Sequence, residues 1–197
     1  PVRFLFFIIN LNNQELLELI MQSRTHQTGA LAGLIAMTML TNQPIPNGAT
    51  VLVALIANVV GSLLPDLDQA GNRLWDLLPG GNVIGKVFRN LFLSHRTISH
   101  SLLGFGIAYL INDWIIRMIF NGELVNSQIV LGSLLIGYGS HIFLDFLTEE
   151  GVLLLFPIKW KFRIFRINSG GWVENWIIFS LLVVAIIWML FFKTKTL

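Results

Sequence analysis

Six consecutive residues, His95-Arg96-Thr97-Ile98-Ser99-His100, place two imidazoles, a guanidinium and two hydroxyls at the mouth of an apolar run. Imidazole ligates metals or moves protons near neutral pH, and guanidinium grips phosphate through a planar fork. Such a cluster bordering a membrane-length segment is costly unless its members have partners. The chain holds four histidines, and the other two, His26 and His141, also stand at the ends of apolar runs. Asp66-Leu67-Asp68 follows a further run and sends two carboxylates from a turn, close enough to ligate one ion or bridge two. His141-Ile142-Phe143-Leu144-Asp145 sets an imidazole and a carboxylate four residues apart, on one face of a helix. With no cysteine in the chain, any metal site must use nitrogen and oxygen ligands. On one continuous helix His95 and His100 would diverge by about 140°. They converge if His95 lies in a loop and His100 in the first helical turn, which is the expected arrangement.

Each feature taken singly has a plain structural explanation. A membrane-end histidine is commonly an interfacial hydrogen-bonding group, an Asp-x-Asp pair is commonly a turn or helix cap, and His141 with Asp145 could be a structural pair. What distinguishes the set is its shared position, and that depends on the elements carrying it.

The composition is that of an integral membrane protein: 54% hydrophobic and 12% charged over 197 residues, with mean hydropathy +0.71. A soluble domain carries roughly twice that charged fraction. The formal net charge of +2 is too small to argue for a nucleic-acid partner. The expected fold is all-α: a polytopic transmembrane bundle of about five segments in a single membrane domain, 1–197. Residues 1–23 read as an interfacial N-terminal segment, with an amphipathic helix at 14–22, and residues 24–197 as the bundle. The segments are read at 28–40 (short unless continued back through His26), 49–64 (ended by Pro65), 100–120, 129–147 and 176–192. Asp113 and Arg117 are four apart and suit a helical ion pair.

Consecutive spans force their connections onto alternate sides. One side then carries the N-terminus and the loops 65–99 and 148–171, with Arg3, Arg24, Arg73, Lys86, Arg89, Arg96, Lys159, Lys161, Arg163 and Arg166. The other carries Arg117, Lys193 and Lys195. By the positive-inside rule the first side is cytoplasmic. The same alternation brings His26, Asp66, Asp68, His95, His100, His141 and Asp145 to that side at one membrane depth. Seven such ligands exceed what one tetrahedral zinc needs and suit one or two divalent ions, with zinc or manganese expected.

The chain resembles the YdjM-type family of inner-membrane proteins, classed as membrane-bound metal-dependent hydrolases. The resemblance rests on His26-Gln27-Thr28-Gly29, Gly61-Ser62-Leu63-Leu64-Pro65-Asp66-Leu67-Asp68, His95-Arg96-Thr97-Ile98-Ser99-His100-Ser101 and His141-Ile142-Phe143-Leu144-Asp145. It continues through Thr148, Gly151 and Pro157 and covers roughly residues 24–175. Thr97 stands where the family pattern has a small residue, often Gly; the exchange alters the loop and removes no ligand. The resemblance implies a hydrolase of the bacterial inner membrane and names no substrate.

Together these readings point to hydrolysis of a phosphate ester, lipid or lipid-linked, at the cytoplasmic membrane surface. Asp66 is the expected water-activating group, Arg96 the phosphate clamp, and Glu174 an extra ligand or a cap of the last helix, with Asn175 a weaker candidate. The basic run at 159–166 suits anionic headgroups, though topology alone would also place it there. The alternatives are a metal-stabilised scaffold without chemistry and an ion or metal transporter. Clustering at one side, without a broken-helix repeat, weighs against transport.

Overall fold

The computed structural model describes residues 13–41, 44–68, 97–120 and 122–195. Among the described residues there are five α-helices: α1 (Asn13–Thr41), α2 (Gly48–Leu63), α3 (Leu102–Ile119), α4 (Ser127–Phe146) and α5 (Phe179–Lys195). A 3-10 turn, Pro65–Asp68, follows α2, and a π-helical turn, Val173–Ile178, leads into α5. Among the described residues there is no strand; the loop after α4 is held by two isolated bridges, Thr148 with Ile167 and Val152 with Phe162. Among the described residues three stretches are long and apolar enough to cross a membrane: Leu102–Ile119, Ser127–Phe146 and Val173–Phe192. Helix α2 is apolar but has only 16 residues.

The separate interfacial helix expected at 14–22 is not a separate element. Residues 13–28 contain no Gly or Pro, so nothing stops the helix, and α1 runs on through His26 for 29 residues. At 1.5 Å per residue that is about 44 Å, longer than a bilayer core.

Local chemistry sets the other boundaries. Asn47 caps α2 by accepting from the Thr50 N–H at 2.8 Å. Asn126 caps α4 by accepting from Gln128 and Ile129, which starts that helix two residues before the expected 129. Ser101 caps α3 by accepting from the Gly104 N–H at 3.1 Å. His100 therefore sits just ahead of α3 and not in its first turn, a correction to the sequence reading. Helix α2 ends where Pro65 removes the next N–H.

Helix α4 is the centre. Half of it is buried, against little of α3 and none of the described side chains of α5. It packs on α2 most extensively, then on α1 and α3, while α5 lies on α1. Close approach of α2 and α4 is set by glycines. A Cβ on Gly137 would stand 2.1 Å from the Asn58 carbonyl oxygen, and one on Gly61 would stand 2.0 Å from that of Leu134. Asn58 adds a bond across the same seam, donating Nδ2–H to the Ser133 carbonyl at 3.0 Å. Small-residue contact with interhelical hydrogen bonding is how helices associate where no hydrophobic drive separates them from lipid.

The connections segregate to two ends, as alternation requires. At one end Asn47 donates Nδ2–H to the Leu124 carbonyl (3.0 Å) and the Asn126 N–H bonds Thr50 Oγ1 (3.1 Å). At the other, the Leu102 N–H bonds the Leu154 carbonyl (3.0 Å) and Tyr138 donates its hydroxyl to the Ser99 carbonyl (2.5 Å). Val152 is buried against Tyr138 and Ile142, so the loop after α4 folds back over this second end. Asp113 and Arg117 form the expected i,i+4 pair at 2.7 Å, away from it on α3.

Candidate metal centre

Four elements converge at the second end. His26 comes from the middle of α1, Asp66 from the 3-10 turn after α2, His100 from the turn before α3, and His141 and Asp145 from the last turns of α4. Their donor atoms face one another. His100 Nε2 lies 3.0 Å from Asp145 Oδ2, 3.6 Å from Asp66 Oδ1 and 3.3 Å from His141 Nε2. His141 Nε2 lies 3.5 Å from both Asp66 Oδ1 and Asp145 Oδ2. His26 Nε2 reaches Asp145 Oδ1 at 3.7 Å and Glu174 Oε1 at 4.0 Å, with its ring stacked on that of His141 at 4.0 Å. Ligands held about 2.0–2.1 Å from zinc at tetrahedral angles stand roughly 3.3–3.4 Å apart, so this spacing fits a shared ion. Two groups have donor atoms close enough to hold one: His26, His141 and Asp145, and Asp66, His100 and His141.

The hydrogen bond behind His141 fixes what it presents. Its Nδ1–H donates to the Ser62 carbonyl at 2.6 Å, because a carbonyl can only accept. In the neutral ring Nε2 is then a bare lone pair, and it points at two carboxylate oxygens and a second imidazole. One proton would satisfy one of these contacts; a divalent cation satisfies all of them. A backbone acceptor behind a ligating imidazole is the usual support of a metal-binding histidine. His100 has the same arrangement in weaker form, with Nδ1 3.0 Å from Ser99 Oγ.

Burial sharpens the electrostatics. His26, His100, His141, Asp145 and Glu174 are buried, whereas the Asp66 side chain is 25% exposed and forms the open edge. Burial alone would raise the Asp66 carboxyl, but the imidazoles of His141, His100 and His26 outweigh it and hold the group well below the usual carboxylate range. At His100 burial prevails over the pull of Asp145 and Asp66, and the imidazole falls below its ordinary value toward the neutral form that a metal needs.

Glu174 lies at the start of the last helix and faces the cluster. The π-helical turn carries it inward; such turns are rare and recur at functional sites. Its Oε2 accepts from the Gly170 N–H at 2.8 Å, tying the helix start, while Oε1 faces His26. Asn175 donates Nδ2–H to the Gly170 carbonyl at 2.7 Å and is a positioning group for the same peptide.

The structure thus brings together His26, Asp66, His100, His141, Asp145 and Glu174. His95 and Arg96 lie outside the described residues. Asp68 closes the 3-10 turn, and its side chain lies outside them too. The sequence reading missed the supports: the Ser62 carbonyl, Ser99, and Tyr138. Tyr138 holds the Ser99 carbonyl and so the turn bearing His100. A signal was available in Gly137 and Gly61, which stand four residues before His141 and next to Ser62 and mark where two backbones must touch.

A family model described as YdjM inner membrane protein matches residues 21–196. An uncharacterized protein of Bacillus subtilis, YvsG, is 26% identical over 162 residues, covering 82% of this chain and 89% of its own length. The inner membrane protein YdjM of Escherichia coli is 33% identical over 133 residues, 66% of this chain, as is that of Shigella flexneri. That match spans 63% of each YdjM protein's length. No solved structure matches the chain.

Proposed function

Since the chain belongs to the YdjM inner membrane protein family, we propose that it is a membrane-bound, metal-dependent hydrolase that cleaves a phosphate ester at the cytoplasmic face of the inner membrane. The observation that carries the reading is the inward-facing His141 Nε2, with Nδ1–H held by the Ser62 carbonyl and with His100, Asp66 and Asp145 around it.

One lone pair ligates one ion, so the two ligand groups compete for His141. His100, His141, Asp66 and Asp145 would hold a first ion, and His26, Asp145 and Glu174 would hold a second. Zinc or manganese suits this cysteine-free set. Bound there, a divalent ion supplies Lewis acidity that acidifies water and offsets charge building on a phosphoryl group.

The chain's own residues do the rest. Asp66, at the exposed edge, ligates and activates the incoming water. Glu174, beside His26, is left to act as a base where the second ion is absent. Arg96, four residues before His100 in the sequence, is the candidate phosphate clamp. The basic and aromatic loop, with Lys159, Trp160, Lys161, Arg163 and Arg166 exposed, seats the site at the headgroup layer. The substrate is a membrane lipid or a lipid-linked phosphoester, in line with a site at the helix ends and away from the mid-membrane position that transport would use.

The test is metal analysis of the full chain purified in detergent, followed by turnover assays on phospholipids, lipid pyrophosphates and soluble phosphodiesters. One or two divalent ions and hydrolysis of at least one substrate class are expected. Asp66→Asn should lower turnover by on the order of 10²–10⁴. Metal-replete protein inactive on every class would sink the enzymatic reading and leave a metal-stabilised scaffold.

A further inference from the structure

Beside the ligand cluster is a cavity of about 500 Å³ bounded by α1, α2 and α5. Its size is that of a ligand pocket, typically about 300–1,000 Å³. Helices α2 and α5 both rest on α1 and scarcely touch each other, so the cavity is a cleft open sideways. Its walls are Leu31, Leu55, Val59 and Phe179, of which Leu55 and Val59 are about 40% exposed along the opening. Arg24, exposed and without an ion pair among the described residues, stands at the site end of the cleft. Leu31 is five residues beyond His26 on α1, roughly 7–8 Å deeper. The cleft therefore runs from the level of the ligands into the apolar depth, with its one cation at the top.

The lining also holds a buried polar atom. Asn58 is 1% exposed and its Oδ1 has no hydrogen-bond partner among the described residues. It lies one turn deeper than Ser62, and its amide oxygen is an acceptor left for a water carried in with a bound lipid. A cleft that opens onto a bilayer is filled by the chains of that bilayer, and a guanidinium at its top favours a headgroup whose phosphate charge no ammonium balances.

We infer that the cleft between α2 and α5 is an acyl-chain site for an anionic glycerophospholipid, whose phosphate lies at Arg24 beside the His/Asp cluster. This rests on the hydrolase reading for its purpose, since it delivers a phosphoester from the membrane side, but the binding itself is independent of turnover.

The experiment uses the full chain in nanodiscs of phosphatidylcholine with phosphatidylglycerol as minor component, followed by detergent extraction and native mass spectrometry of retained lipid. Wild type should retain one phosphatidylglycerol, with or without metal. Leu55→Trp and, as a second filling of the cleft, Val59→Trp should reduce retention about tenfold. Arg24→Gln should keep a lipid but lose the preference for phosphatidylglycerol over phosphatidylcholine. Equal retention in folded wall variants, or preferential retention of an added polyprenyl phosphate, overturns the assignment. If neither wall variant folds, an unchanged headgroup preference in Arg24→Gln overturns it. Retained lipid without hydrolysis would refute the enzyme reading alone. Hydrolysis of a soluble diester, with retention indifferent to the cleft variants, would refute the cleft alone.

Discussion

Asp145 turns its two carboxylate oxygens to different neighbours: Oδ2 to His100 and His141, Oδ1 to His26. On the proposed reading such a carboxylate would serve two ions, whereas Glu174 meets His26. The two residues should therefore fail differently. Asp145→Ala should empty the whole centre, while Glu174→Gln should lower the content from about two equivalents toward one and leave the His100–His141 side loaded. Elemental analysis of the purified variants separates these outcomes. Equal losses in both would mean a single site, with Glu174 confined to its bond with the Gly170 N–H. His141→Ala should be milder than Asp145→Ala, because it takes a ligand from the first ion and leaves His26, Asp145 and Glu174 for the second.

Elements determine whether these side chains meet. Helix α4 carries two of the ligands, and its distance from α2 is set by backbone contact at Gly61 and Gly137. Gly137→Ala forces a methyl group into the Asn58 carbonyl and pushes the helices apart one turn from His141. It should cost about 1–3 kcal/mol, as overpacking does, and weaken metal retention without touching a ligand. Thermal unfolding in detergent and metal titration read both effects. A variant with unchanged melting and unchanged affinity would show that the seam relaxes elsewhere. Gly151 is a second such point, at φ +64° with a virtual Cβ 2.6 Å from the Phe162 carbonyl oxygen. Only glycine fits where the loop after α4 folds over the site.

For the whole molecule, the two ends differ in what they carry. The cluster end bears the exposed cations of the loop after α4, interleaved with Trp160, Ile164 and Phe165, while the opposite turns meet through Asn47, Leu124 and Asn126. The apolar exteriors of α3 and α5 complete a surface made for lipid. Because the chain lacks cysteine, orientation can be read with single substitutions. Asn168→Cys should be shielded from a membrane-impermeant maleimide in intact cells, and Leu124→Cys should react. The reverse pattern would place the cluster outside the cytoplasm. Arg166→Gln should weaken attachment to anionic bilayers, with an effect that shrinks at high salt.

The sequence by itself determined the class, the alternation of connections and the set of polar residues brought to one end. These follow from apolar run length and from the cost of burying charge in lipid, both local properties. It also determined His141 with Asp145, because a four-residue spacing fixes a helical face. Tertiary structure alone decided the pairings: that His26 stacks on His141, that Asp145 faces His26 with one oxygen and His100 with the other, and that Glu174 turns inward on a π-helical turn. It also decided the Ser62 carbonyl behind His141, since a backbone acceptor leaves no trace in residue type. The continuity of α1 through His26 belongs here as well. A short amphipathic stretch and a short apolar stretch read as two helices. Packing of α1 against α4 and α5 stabilises them as one, and so carries an imidazole at mid-helix into a centre assembled from four separate elements.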